Sequence, residues 1–235
     1  MIAAGLVDAG VRVYVSSRKA EACHETAREL SKVGECISFP ADLSNAEGCK
    51  ALGEFVASRE KQLDILVNNS GATWGAPIDE FPESGFDRVL DINVKGLFFA
   101  TQALLPLLRA AGSANDPARV VNIGSVDGLR TSADTAYSYG PSKAAVQMLT
   151  RQLAKALAED KITVNAINPG PFESKMMAFR LDEPEGRKEV EKVVPLHRIG
   201  RPDDMAGSVI FLCSRAGSYL TGTAFEVDGG IVAAG

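Results

Sequence analysis

Apolar positions recur in two rhythms along this chain, and the way the rhythms alternate predicts an α/β fold. Short apolar runs at residues 11–15, 36–40, 63–67, 120–125, 162–167 and 220–230 read as strands, several of them apolar enough to be buried on both faces. Longer stretches with apolar residues every three or four positions read as helices at 1–9, 20–33, 86–111, 140–159 and 202–214. Strand followed by helix, repeated, predicts a doubly wound parallel sheet flanked by helices, as one domain over residues 1–235. Punctuation agrees with the rhythm. Gly10 is placed to end the first helix, and Pro202, with Asp203 and Asp204, opens the last one favourably for capping and dipole. Residues 112–118 are rich in turn formers. Residues 175–198 show neither a strand nor a long clean helix and predict a mobile substrate lid.

Composition narrows the class. A length of 235 residues, 46% apolar and 23% charged, suits a soluble domain with a sizeable core. The formal charge of -5 argues against general nucleic-acid binding. No apolar run is long enough to span a bilayer, and no signal-peptide pattern opens the chain. Cys23, Cys36, Cys49 and Cys213 lack the close pairing of a zinc site and read as reduced thiols of a cytoplasmic protein. His24 and His197 are isolated, so no metal site is expected.

The chemistry concentrates in Tyr139-Gly140-Pro141-Ser142-Lys143. Residues four apart share a helix face, so the Tyr139 phenol and the Lys143 ammonium point the same way. A phenol has a pKa of about 10, and a neighbouring cation favours the phenolate and lowers it. Tyr137 competes for the role, but four residues after it stands Pro141. Ser125 ends the apolar run Val120-Val121-Asn122-Ile123-Gly124-Ser125, at the carboxyl end of a strand, where open α/β sheets place their ligands. A hydroxyl, a phenol and an ammonium then converge where a carbonyl could bind.

With the serine followed by a tyrosine and a lysine four residues on, the chain resembles the short-chain dehydrogenase/reductase family, which implies a Rossmann-like fold and an NAD(P)-dependent oxidoreductase. Other motifs match in order. Asn68-Asn69-Ser70-Gly71 is similar to the family's Asn-Asn-Ala-Gly turn, and Asn93 stands where the family has a catalytic asparagine that orders a relay water. The resemblance implies that Tyr139 protonates the substrate oxygen, Ser125 hydrogen-bonds the same oxygen, and Lys143 holds the nicotinamide ribose and depresses the Tyr139 pKa. After the first strand, Ser16-Ser17-Arg18-Lys19 offers cations and no acid, which favours NADP(H), with Arg18 as the phosphate contact and Ser17 beside it. Asp42 and Leu43 match the adenine position, although Asp42 and Ser44 could also cap the next helix. Asn69, Ser70 and Gly71 would border the cofactor, together with Pro169, Gly170, Phe172 and Ser174 from the turn after strand 162–167.

One feature departs from the family. Its opening strand and Thr-Gly-x-x-x-Gly-x-Gly turn have no counterpart, since the chain reads as starting inside the first helix. Either the start is truncated or misassigned, or this is a real short form; in either case neighbouring strands are expected to lack a partner. The wording Tyr-Gly-Pro-Ser-Lys and Ile-Gly-Ser-Val is closest to 3-oxoacyl-acyl-carrier-protein reductases, including those linked to rhamnolipid precursors. That implies an acyl-thioester substrate, an acyl carrier protein as candidate partner, and a homodimer or homotetramer formed through helices 86–111 and 139–159. Another ketone (sugar, steroid or polyketide), or a non-catalytic binding subunit, stays open.

Overall fold

The structure is a computed structural model describing residues 1–131, 135–174 and 176–234. Its strands are β1 (Val13–Val15), β2 (Cys36–Ser38), β3 (Ile65–Asn68), β4 (Ala118–Ile123), β5 (Ile162–Pro169) and β6 (Ala224–Val227). Its helices are α1 (Ile2–Asp8), α2 (Ala20–Leu30), α3 (Ala46–Ala57), α4 (Glu83–Leu90), α5 (Leu97–Ala111), α6 (Tyr139–Leu157), α7 (Ala178–Leu181), α8 (Pro184–Val193) and α9 (Pro202–Cys213). Every strand pairing is parallel. The pleat sends successive residues to opposite faces, and the core divides accordingly. Leu66, Val120 and Val164 pack with Leu52, Leu104, Leu108 and Leu157 from α3, α5 and α6. Val67, Val121 and Ile167 pack with Leu6, Val7, Met205 and Val209 from α1 and α9. The apolar runs are therefore strands sandwiched between two helix layers, as their composition predicts.

The ladder is split. Among the described residues β1 pairs only with β2, and β3-β4-β5-β6 form a separate sheet. Between β1 and β3 lies a mainly apolar slot of about 250 Å³, walled by Val13, Tyr14 and Val15 on one side and Ile65, Leu66 and Val67 on the other. The expected lack of a strand partner is thus visible as two strand edges facing across a gap. The two parts are still joined by packing. Gly5 of α1 lies so close to Ala206 of α9 that an added Cβ would come within 2.4 Å of the Ala206 Cβ.

Three sequence readings need correction. The helix expected at 86–111 is a run from α4 to α5 interrupted by a π-helical segment, Asp91–Gly96. The apolar period carries across such an insertion, so the sequence reads it as one helix. The cap of α3 is Asn45, which accepts from the Gly48 amide at 2.9 Å, while the Asp42 carboxylate turns to Ser44. The segment 175–198, expected to lack a clean helix, contains α7 and the ten-residue α8. Pro184 starts α8, but only Val190 is buried, against Leu181 and Ile199, so its apolar face is too narrow to register as a period. Lys175 of that segment and residues 132–134 of the loop 126–138 lie outside the described residues.

Candidate active site

Parallel strands deliver their carboxyl ends to one edge, and the chemical residues collect there. β4 ends at Ile123, and two residues later Ser125 opens a 3₁₀ turn, Val126–Gly128. The Ser125 hydroxyl accepts from the Asp127 amide at 3.2 Å and is 6% exposed. Gly124 is required by close approach: a Cβ there would stand 2.1 Å from Asn168 Oδ1. Tyr139 is the first residue of α6, and Lys143 follows one turn later. The Lys143 Nζ lies 5.6 Å from the Tyr139 ring centroid and donates to the Ile123 carbonyl at 2.8 Å. Serine, phenol and ammonium therefore converge, as the spacing predicts.

Their electrostatics differ from the expectation. Burial raises the Tyr139 pKa above its ordinary value; a hydrogen bond with Ser125 pulls it down, and Asp127 pushes it up. Burial also forces the Lys143 ammonium down to about 8. The phenol is raised and not lowered, because both groups have lost their water and desolvation is the largest effect on each. The raised phenol keeps its proton at neutral pH and is a weaker acid than a free tyrosine.

Asn93 sits in the π segment and is 2% exposed, not on the surface as a mid-helix asparagine usually is. Its Oδ1 accepts from the Ala72 amide at 2.8 Å. Its Nδ2 donates to the Ala72 carbonyl at 3.0 Å and to Ser142 Oγ at 2.9 Å. Gly71 belongs to the same cluster: a Cβ on it would meet Asn93 Oδ1 at 3.3 Å and Lys143 Nζ at 3.7 Å.

The other singled-out residues lie along the same edge in three groups. At the β1–β2 end, the Ser17 hydroxyl donates to the Lys19 carbonyl at 3.3 Å. Arg18, half exposed, holds its guanidinium 3.9 Å from the Asp42 carboxylate. Burial would raise Asp42, but hydrogen bonds from the Ser44 amide and hydroxyl, with Arg18 nearby, hold it below the usual carboxylate range. The Leu43 carbonyl lies against Gly96, where a Cβ would approach it within 2.1 Å. Arg18 and Ser44 also line a cavity of about 330 Å³ with Arg88 and Asp91. Nearer the middle, Asn69 and Ser70 flank the upper slot. Beyond it, Pro169 ends β5, and the Gly170 amide donates to the Val227 carbonyl at 3.0 Å. Phe172 is buried with its ring over Gly200. Ser174 is exposed, and its Oγ accepts from the Met177 amide at 3.3 Å.

A polar ladder lies beneath the site: the asparagine turn can tie neighbouring strands together, as sequence reasoning holds, but its extension through Asn122 to Thr150 was missed. Asn68 Nδ2 donates to Thr101 at 3.0 Å and to Asn122 at 2.9 Å, and Asn122 donates to Thr150 at 2.9 Å. The signal was present as asparagines inside apolar strands, a costly placement unless each amide finds partners. Ser142 was passed over as spacing between Tyr139 and Lys143. Among the described residues no group of three His, Cys, Asp or Glu is placed to hold a metal, and no helix is long and apolar enough to cross a membrane.

Comparison with known proteins agrees with this geometry. A family model described as enoyl-(acyl carrier protein) reductase matches residues 1–232. The rhamnolipids biosynthesis 3-oxoacyl-[acyl-carrier-protein] reductase of Pseudomonas aeruginosa is 46% identical over 98% of this chain and 90% of its own. The 2-dehydro-3-deoxy-D-gluconate 5-dehydrogenase of Dickeya dadantii is 33% identical over 99% of this chain and 90% of its own. Among solved structures, the active-site complex of Pseudomonas aeruginosa RhlG with NADP superposes with a TM-score of 0.96 at 45% identity, covering 98% of this chain and 90% of that one. A gluconate 5-dehydrogenase from Burkholderia cenocepacia in complex with NADP and tartrate gives 0.89 at 28% identity, covering 99% and 89%. With its Rossmann-like parallel sheet, its serine, tyrosine and lysine on one strand edge, and these relatives, the chain belongs to the short-chain dehydrogenase/reductase family of oxidoreductases.

Proposed function

We propose that this protein is an NADPH-dependent ketoreductase that converts 3-oxoacyl thioesters to 3-hydroxyacyl thioesters in the cytoplasm. The observation that carries the chemistry is the convergence of Ser125, Tyr139 and Lys143 at the carboxyl edge of β4. The substrate class is supported by the name of the 46% identical relative. The cofactor fits the residues present. Arg18, half exposed at the end of β1 where a 2′-phosphate would lie, offers a guanidinium to it, although Asp87 and Asp91 share the cavity it lines with Arg88, and Gly71 leaves open the approach to Lys143.

Bound NADPH would supply hydride to the carbonyl carbon. Tyr139 gives its proton to the carbonyl oxygen, and its burial keeps that proton in place until needed. Ser125 donates to the same oxygen as negative charge develops there. Lys143, pinned to the Ile123 carbonyl, places positive charge beside the phenolate that is left. Asp42, Leu43, Asn69, Ser70, Pro169, Gly170, Phe172 and Ser174 would line the cofactor along the strand edge, Ser17 would support Arg18, and Asn93 would order the relay water. An acyl carrier protein would present the chain. Phe98 and Met148, exposed apolar residues on α5 and α6, suit a homodimer or homotetramer built on those helices.

The test is oxidation of NADPH, followed by absorbance, with acetoacetyl thioesters against a panel of sugar, steroid and polyketide ketones. Preference for the thioesters supports the reading; turnover of another ketone alone reassigns the substrate. The slot between β1 and β3 supports a second reading, in which the chain holds no cofactor and acts as a binding subunit. Titration of NADPH fluorescence separates the two: no change at high protein concentration leaves only the second.

A further inference from the structure

Ser142 lies between the two catalytic members of α6 and is 0% exposed. Its hydroxyl donates to the Tyr139 carbonyl at 2.6 Å and accepts from Asn93 Nδ2 at 2.9 Å. A serine that only bonds back to its own helix is common and mildly destabilising. The bond from Asn93 is different, because it crosses from the π segment between α4 and α5 to the first turn of α6. Asn93 is in turn locked to both backbone groups of Ala72, next to Gly71. An asparagine amide has two donor hydrogens and an oxygen with two lone pairs; both donors and one lone pair are committed here. The result is one continuous string: the turn after β3, Asn93, Ser142, and the backbone of Tyr139. Such buried networks fix geometry more sharply than packing alone.

The geometry points to Ser142 as a positioning residue that pins the turn bearing Tyr139 to Asn93, and through it to the Gly71–Ala72 turn. It touches no reacting atom and acts through the orientation of the phenol. This deepens the reductase reading and rests on it.

The experiment compares Ser142→Ala, Asn93→Ala and the double variant in the full chain. Readouts are kcat, KM, NADPH affinity and the ultraviolet titration of tyrosine, with Tyr139→Phe as the blank that identifies the Tyr139 signal. A misplaced catalytic group costs on the order of tenfold to a hundredfold, so Ser142→Ala should lower kcat by about that factor, with KM and NADPH affinity within about threefold. The double variant should be no slower than Asn93→Ala, because the two residues act as a unit. The Tyr139 titration should move down towards the ordinary phenol, since burial holds it up and a loosened turn admits water. Lys143 and Asp127, the charged groups acting on the phenol, are unchanged in these variants. A kcat within about twofold of wild type, or losses that multiply in the double variant, would overturn the proposal. Should the wild type reduce no ketone, the parent reading fails and the titration alone decides Ser142: an unmoved Tyr139 signal rejects it.

Discussion

Replacing Lys143 with methionine should make the stability of the protein less dependent on pH, and the size follows from burial. The ammonium is forced from 10.5 to about 8 by desolvation, and no other cause contributes. At about 1.4 kcal/mol per pH unit, the folded chain therefore carries a penalty of about 3 kcal/mol for holding this charge. The sign is set by linkage. A lysine whose folded value is depressed burdens the fold at pH below 8, and the burden lifts as pH rises towards the unfolded value. Between about pH 7 and about pH 9.5 the wild type should regain about 2 kcal/mol from this group, while methionine regains none. Losing the bond to the Ile123 carbonyl costs the variant about 1–3 kcal/mol at every pH. The stability gap at one pH is thus ambiguous, but its change with pH is not. Cys213, pushed up to about 11, weakens both chains equally in alkali and cancels. Urea unfolding of both proteins at the two pH values measures the difference. A gap that stays constant within about 0.5 kcal/mol would refute the claim that the ammonium is desolvated.

Three further outcomes are expected. Tyr139→Phe should lower kcat about a thousandfold or more and leave NADPH affinity within about threefold, read by absorbance and fluorescence; comparable turnover would defeat the acid assignment. Arg18→Ala should weaken NADPH by about tenfold or more with little effect on NADH, and equal loss for both in titrations would remove Arg18 as the phosphate contact. Asn122→Leu strips partners from half-buried Asn68 and buried Thr150 and should cost about 1–3 kcal/mol, lowering the melting temperature by several degrees in a thermal scan. An unchanged melt would show that the ladder is not under load.

The strands were legible because each is a short apolar run, and a parallel sheet covered on both faces permits no other composition. The meeting of Ser125, Tyr139 and Lys143 was legible because two of them share a helix and the third follows a strand, while the roles proposed for them came from the family resemblance. Asn93 was found only by resemblance, because the π segment that buries it leaves no mark in the apolar period. Ser142 and the Asn68–Asn122 ladder depend on contacts between elements 49 and 54 residues apart, which no local pattern encodes. The reading of Tyr139 as a phenol lowered by its cation went wrong for a related reason. Spacing shows which charge is near, but desolvation depends on everything packed around the pair, and here it is the larger effect.

The division of the sheet also divides the proposed chemistry. Ser125, Tyr139, Lys143 and Asn93 are held by β4, α6 and the helical run beside them, all packed on the four-stranded sheet. Arg18 stands just past β1, on the two-stranded sheet, with Asp42 beyond β2. Among the described residues no ladder joins β1 to β3, and the two parts meet through helix packing, α1 on α9 and α3 on α5, and through the side chains along the slot. Backbone ladders resist shear more strongly than side-chain contacts across a gap, since each hydrogen bond fixes direction as well as distance. A disturbance of the slot should therefore move Arg18 and Asp42 relative to Tyr139 while leaving the proton-transfer cluster intact. Tyr14→Ala, which enlarges the slot from the β1 side and leaves Glu60 with Arg12, should accordingly weaken NADPH binding while kcat at saturating cofactor holds within about twofold. A fall in kcat with unchanged affinity would mean that the slot and the catalytic cluster are mechanically one.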